Sequence, residues 1–184
     1  MNANLACLSI MMLAPASALS QSIAPLPLRR VEITFRTRVS NGPDFTGRVN
    51  AATAEFRGGD LAVVQGLAEF RVADMLTGIG ARDRHLRGTL KADSFPTIRF
   101  ELVGVDPQPA RGDTIPLTYQ GHLTIHGVTR TVRVPGTVVL RPGSIDVRAN
   151  FQMDMREFGV EPPVRLVARV QPVVEISVLL GFGQ

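Results

Sequence analysis

Residues Ser144–Glu157 read SIDVRANFQMDMRE, and every second side chain in them is apolar. Ile145, Val147, Ala149, Phe151, Met153 and Met155 share one parity, while Asp146, Arg148, Asn150, Gln152, Asp154 and Arg156 share the other. A strand turns successive side chains to opposite faces, so this segment has one face for a core and one for water.

The same period recurs on both sides. In Val31–Val39, VEITFRTRV, the residues Val31, Ile33, Phe35 and Val39 oppose Glu32, Thr34, Arg36 and Arg38. After an Asn41-Gly42-Pro43-Asp44 loop, a second strand is expected around Gly47–Phe56, ending in a hairpin turn at Arg57-Gly58-Gly59-Asp60. Leu61–Met75 reads as one or two strands with Phe70 and Val72 inward. Thr97–Val105 places Ile98, Phe100 and Leu102 on one face, and the Pro- and Gly-rich residues 106–113 form a loop. Tyr119, Leu123 and Ile125 alternate up to a His126-Gly127 pair, where histidine and glycine both suit a tight primed turn before Val132 and Val134 return. Arg141-Pro142-Gly143-Ser144 turns the chain again, and Val164–Leu180 closes the sheet with Pro172 marking a bend or bulge. Strands and tight turns in this number make an all-β antiparallel barrel or sandwich. A barrel of about eight strands fills its interior with side chains or leaves a slot for one elongated apolar ligand.

One stretch breaks the pattern. Gly80–Gly88, GARDRHLRG, packs Arg82, Asp83, Arg84, His85 and Arg87 together with Leu86 as its one large apolar side chain. It reads as a two-turn helix ended at Gly88, lying on the barrel or across its mouth and pinned by Leu86. Ser94-Phe95-Pro96 then bends the chain into the next strand, with Phe95 held extended before proline.

A chain of 184 residues is one domain. Residues 1–18 resemble a secretory signal: LACLSIMMLAPA is apolar and Ala16-Ser17-Ala18 fits a small-x-small cleavage site, although residues 1–22 lack Lys and Arg. Residues 19–30 then form a linker, and residues 31–184 the barrel domain, exported to a periplasm or to the outside. Cleavage after Ala18 would remove Cys7, the only cysteine, leaving no thiol for disulfides, metal or nucleophilic catalysis. No cofactor is expected, and no later run is long enough for a membrane helix. The net charge of +4 raises nucleic acid as a partner. The arginines are scattered singly at outward strand positions, however, and one Tyr with no Trp supplies no stacking platform, so nucleic acid is set aside.

Catalytic signals are sparse. His122 and His126 lie about 13 Å apart on an extended strand, too far to share an ion. Asp83 and His85 are the candidate acid/base pair of a hydrolase or isomerase, but two positions apart on a helix they face different directions.

Residues 82–101, RDRHLRGTLKADSFPTIRFE, resemble the signature of the YceI-like family, an R-D-x-H-L-R element followed by a Y/F-P-x-I-x-F strand. Two further pieces are similar in order and spacing: GHLTIHGVTRTVRVP at 121–135 matches an L-T-I-x-G-V-T-K/R hairpin, and MREFGV at 155–160 a D-F-G-I/V turn. The resemblance spans roughly residues 30–180 and implies a lipocalin-like barrel holding a polyisoprenoid, quinone or other lipid, without catalysis. On that analogy Phe35, Phe70, Val72, Ile98, Phe100, Leu123, Ile125, Phe151, Met153 and Met155 line the slot. Arg82, Asp83 and His85 are candidates for contact with a head group. The tryptophan and His-Gly element usual near the family's first hairpin are missing from residues 31–49, and the N-terminal strands look abbreviated. The rival readings are the enzyme on Asp83 and His85, and an interaction protein using its basic outer face; a second copy of the chain is a further candidate partner.

Overall fold

A computed structural model describes residues 26–57, 64–165 and 168–183. The expected signal segment and the Gly58-Gly59-Asp60 part of the expected turn lie outside them. The strands are β1 (Leu28–Ser40), β2 (Phe45–Val49), β3 (Thr53–Arg57), β4 (Gln65–Arg71), β5 (Met75–Leu76), β6 (Thr97–Pro107), β7 (Thr114–Ile125), β8 (Val128–Arg141), β9 (Ser144–Asp154), β10 (Val164–Arg165) and β11 (Ala168–Gly183). One helix, α1 (Gly80–Thr89), lies between β5 and β6.

The strands pair antiparallel in the order β3-β4-β6-β7-β8-β9-β11-β1-β2-β5, with β10 folded back on β11. The sheet curls so that its inward faces enclose one core, a lipocalin-like all-β architecture. The alternation of β1 and β9 sets this up: Ile33, Phe35 and Thr37 are buried between exposed neighbours on β1, and Val147 and Ala149 are buried on either side of exposed Arg148 on β9. The outward positions carry cross-strand ion pairs, among them Arg38 with Glu175, Arg133 with Asp106, and Arg141 with Asp113 and Asp146.

Turn chemistry fixes the register of the longest hairpin. His126 and Gly127 both take positive φ, +53° and +76°, as a two-residue primed turn requires, and β7 and β8 pair without a shift from Ile125↔Val128 to Thr114↔Val139. Pro172 sits where β11 is irregular: Thr37 pairs with Val174 but Val39 with Val170, so the β11 side carries the extra residues.

Four expectations change. The strand expected at Gly47–Phe56 is two, because Asn50-Ala51-Ala52 carries the chain from β2, beside β1, to β3 at the far edge of the sheet. Three small or polar residues offer no large side chain to hold one register there. β1 begins at Leu28 rather than Val31 and spans 13 residues, so of the first three strands β2 and β3, five residues each, are the short ones. Val72 and Met155 lie in 3-10 turns, Val72–Asp74 and Met155–Phe158, not in strands. Finally, α1 does not stop at Gly88: it runs to Thr89, Leu90 is drawn into the core, and the left-handed step falls on Lys91 at φ +46°.

An apolar cavity with a polar mouth

Inside the curled sheet is a cavity of about 590 Å³, within the range that takes one small-molecule ligand. Its wall is Phe, Met, Val, Ile and Leu from β1, β4, β6, β7, β8, β9 and β11. Far from α1, the rings of Phe56 and Phe182 meet edge to face, centroids 4.8 Å apart, and close the floor.

The cavity stays open although its wall is rich in aromatic rings, because those rings lie against neighbouring glycines. A Cβ on Gly47 would fall 2.1 Å from the Phe35 ring, one on Gly66 2.4 Å from Phe56, one on Gly121 2.6 Å from Phe100, and one on Gly136 2.5 Å from Tyr119. Each missing Cβ is a shelf that lets a ring fold against the sheet instead of standing into the cavity. Tyr119 is anchored further, its hydroxyl donating to the Thr137 carbonyl at 2.8 Å, and burial raises its ionisation well above the ordinary phenol value.

Nine of the ten residues expected to line a slot do so: Phe35, Phe70, Ile98, Phe100, Leu123, Ile125, Phe151, Met153 and Met155. Val72 does not. It is fully buried in the turn after β4, at 1% exposure, because there the chain leaves the sheet and its side chain packs into the wall. Sequence reasoning missed the glycine shelves and Thr37, a buried polar side chain that also faces the cavity. Thr37 was legible as an inward position of β1; the shelves were not, since no sequence signal pairs a glycine with its ring.

The helix α1 spans one end of the cavity. Arg82, His85, Leu86 and Thr89, spaced for one helical face, all line it. The Arg82 guanidinium stacks over the Phe45 ring at 4.7 Å, tying α1 to β2. Asp83 faces the other way, at 7% exposure, and accepts hydrogen bonds from the Thr77 hydroxyl at 2.6 Å and the Thr77 amide at 2.7 Å. Those two bonds, the hydroxyl first, hold its carboxyl below the ordinary carboxylate value. The structure therefore does not bring Asp83 and His85 together: one anchors the helix and the other faces the cavity.

The two remaining histidines are separate as well. His122 is on the outer face of β7, 3.3 Å from the Thr131 hydroxyl. The His126 ring packs edge to face on Phe95, centroids 4.9 Å apart, with Nδ1 3.3 Å from the Phe158 carbonyl. Among the described residues, no group of three or more His, Cys, Asp or Glu is placed to hold a metal ion, and no helix is long and apolar enough to cross a membrane.

A curled antiparallel sheet around an apolar cavity, capped by a helix that brings Arg82, His85 and Thr89 to it, defines a lipocalin-like fold with a ligand-sized interior. The YceI-like domain matches residues 28–182, and the chain belongs to that family. The crystal structure of BcnA from Burkholderia cenocepacia is similar with a TM-score of 0.69 at 21% identity, covering 82% of this chain and 95% of that one. A polyisoprenoid binding domain from Saccharophagus degradans, implicated in plant cell wall breakdown, has a TM-score of 0.70 at 14% identity over 86% of this chain and 97% of its own. The YceI protein of Campylobacter jejuni has a TM-score of 0.61 at 16% identity, covering 96% of this chain and 99% of that chain. Among curated proteins, none matches this sequence.

Proposed function

We propose that this protein is an exported binding protein that holds one long apolar molecule of isoprenoid type, a polyisoprenoid, quinone or related lipid, and performs no chemistry on it. The observation that carries the reading is the cavity itself: about 590 Å³, apolar along its walls, with Arg82, His85 and Thr89 gathered at one end. A chain buried there gains about 0.8 kcal/mol per methylene, so affinity needs little polar recognition. The nine lining residues named above contact the chain, and Arg82 and His85 meet its head group. Asp83 acts indirectly, by fixing α1 through Thr77. The likeness to a polyisoprenoid binding domain supports the ligand class, and the signal-like residues 1–18 support export.

The test is organic extraction of natively purified protein followed by mass spectrometry. A stoichiometric isoprenoid lipid or quinone is expected. A clean extract, together with a crystal structure whose interior is filled by side chains, would overturn the reading.

A further inference from the structure

Register places several elements at the same end of the barrel as α1. Ser40 at the end of β1 pairs with Arg169, and Arg169 with Val164, so the β1–β2 turn and the β10–β11 hairpin rise together. β5 runs antiparallel to β2, so the chain leaving Leu76 heads toward the Phe45 end of β2, where Ile79 begins α1. Pro43, Pro163 and Ala168 from these elements, and Arg82 from α1, line the cavity, which makes this end its rim.

Two of the most exposed large apolar side chains sit on that rim. Ile79 is 50% exposed and Val164 57%. Isolated exposed residues are ordinary on a protein surface, but these two flank the opening of an apolar cavity. The charge around them is mainly positive. From Gly80 to Lys91 the chain carries Arg82, Arg84, Arg87 and Lys91 against a single carboxylate, Asp83, which is turned inward on Thr77. Arg84, Lys91 and Arg169 are exposed. The rim carboxylates Asp44 and Glu175 are neutralised by Arg36 and Arg38. Asp93, Glu157 and Glu161 stand exposed against the basic set.

We propose that this rim docks on an anionic lipid bilayer, with Ile79 and Val164 entering the headgroup boundary and Arg84, Lys91 and Arg169 facing the lipid phosphates. Apolar tips and basic side chains together are the combination that binds an anionic interface. Docking in this orientation sets the cavity mouth against the membrane, so an apolar ligand passes between bilayer and barrel without crossing water. The surface stands on exposure and charge alone, whatever the cavity holds.

The test is flotation of the purified protein with vesicles of phosphatidylcholine, with and without phosphatidylglycerol. Binding to the phosphatidylglycerol vesicles is expected, weakening as salt is raised. Ile79→Asp with Val164→Asp should reduce it about tenfold, and Arg84→Gln about fivefold. Val103→Asp is the control, since Val103 is also 50% exposed but lies at the β6 irregularity away from α1; it should leave binding unchanged. Circular dichroism of each variant checks that the barrel is intact. Equal binding to both vesicle types, or an equal loss in Val103→Asp, overturns the proposal. So does a rim variant that dissociates a protein dimer in sedimentation and leaves vesicle binding untouched. Ligand extraction reads the cavity and flotation reads the rim, so either proposal can fail alone.

Discussion

The wall and the mouth of this barrel are built on opposite rules. From β6 to β9 and along β11 the chain runs in strands of 11 to 16 residues that alternate inside and outside, joined by short turns. Around α1 the strands shorten to two or five residues, the chain crosses between sheet edges, and polar groups turn inward. The wall gets its stability from burial and a long ladder interrupted only locally, at Leu102–Gly104 of β6 and around Pro172 of β11. The mouth is held by a few specific contacts: Asp83 to Thr77, Arg82 on Phe45, and the buried Leu90. Substitutions in the wall should therefore cost stability, and substitutions at the mouth should alter what is held.

The largest effect is expected from Phe158→Ala. Phe158 is 1% exposed, under the β7–β8 turn, and its truncation should destabilise the fold by about 3–5 kcal/mol in urea unfolding. Next is Gly127→Ala, at about 2 kcal/mol, because φ is +76° and the new Cβ would meet the Phe95 ring at 2.5 Å. If either variant were as stable as the parent, the wall would not be the rigid region.

Gly47→Ala probes the boundary between the two. Its Cβ would fall 2.1 Å from Cζ of the Phe35 ring, so the ring must move, and it has the cavity to swing into. Stability should change by about 1 kcal/mol or less, while the amount of lipid extracted per protein falls. Phe35→Leu in the same chain should restore the load. A retained load in Gly47→Ala alone would show that the shelves do not set the cavity's width.

The smallest effect is in the pH dependence. Asp83 has a lowered carboxyl pKa in the folded state, so near its titration the unfolded chain binds the proton first. The stability it adds is complete above the unfolded carboxylate value of about 4 and is lost as the pH falls through the lower, folded value. Asp44, bonded to the Val39 amide, and Asp154, bonded to Arg156, act in the same direction. Asp83→Asn should therefore flatten the acid limb of the stability curve in part, read by thermal melts between pH 2 and pH 6 (about the window in which a carboxylate titrates). An unchanged acid limb would mean that the Asp83 bracket does not hold the mouth.

How far the sequence could be read follows the same division. The alternation of Ser144–Glu157 and Val31–Val39 named the inward faces correctly, since a period of two leaves no other assignment for a half-buried strand. The His126-Gly127 turn and the Pro172 irregularity were legible for the same reason: positive φ and a missing amide are local properties. Val72 was misplaced because alternation says nothing about where a strand ends. Gly88 was misread as a helix stop because the pull of Leu90 toward the core is not local.

By itself the sequence determined an all-β antiparallel chain, its inward residues, most of its turns and one charged helix, because each depends on neighbours within a few positions. Only the tertiary structure decided that β2 and β3 part to opposite ends of the strand order, β3 at one edge and β2 beside β5 at the other. It alone laid Phe35, Phe56, Phe100 and Tyr119 on glycines of other strands, leaving the interior open. It also divided the charged helix, with Asp83 turned to Thr77 and Arg82 and His85 to the cavity. Each of those depends on surfaces brought together from distant parts of the chain, and a cavity is a property of such packing, absent from any single strand.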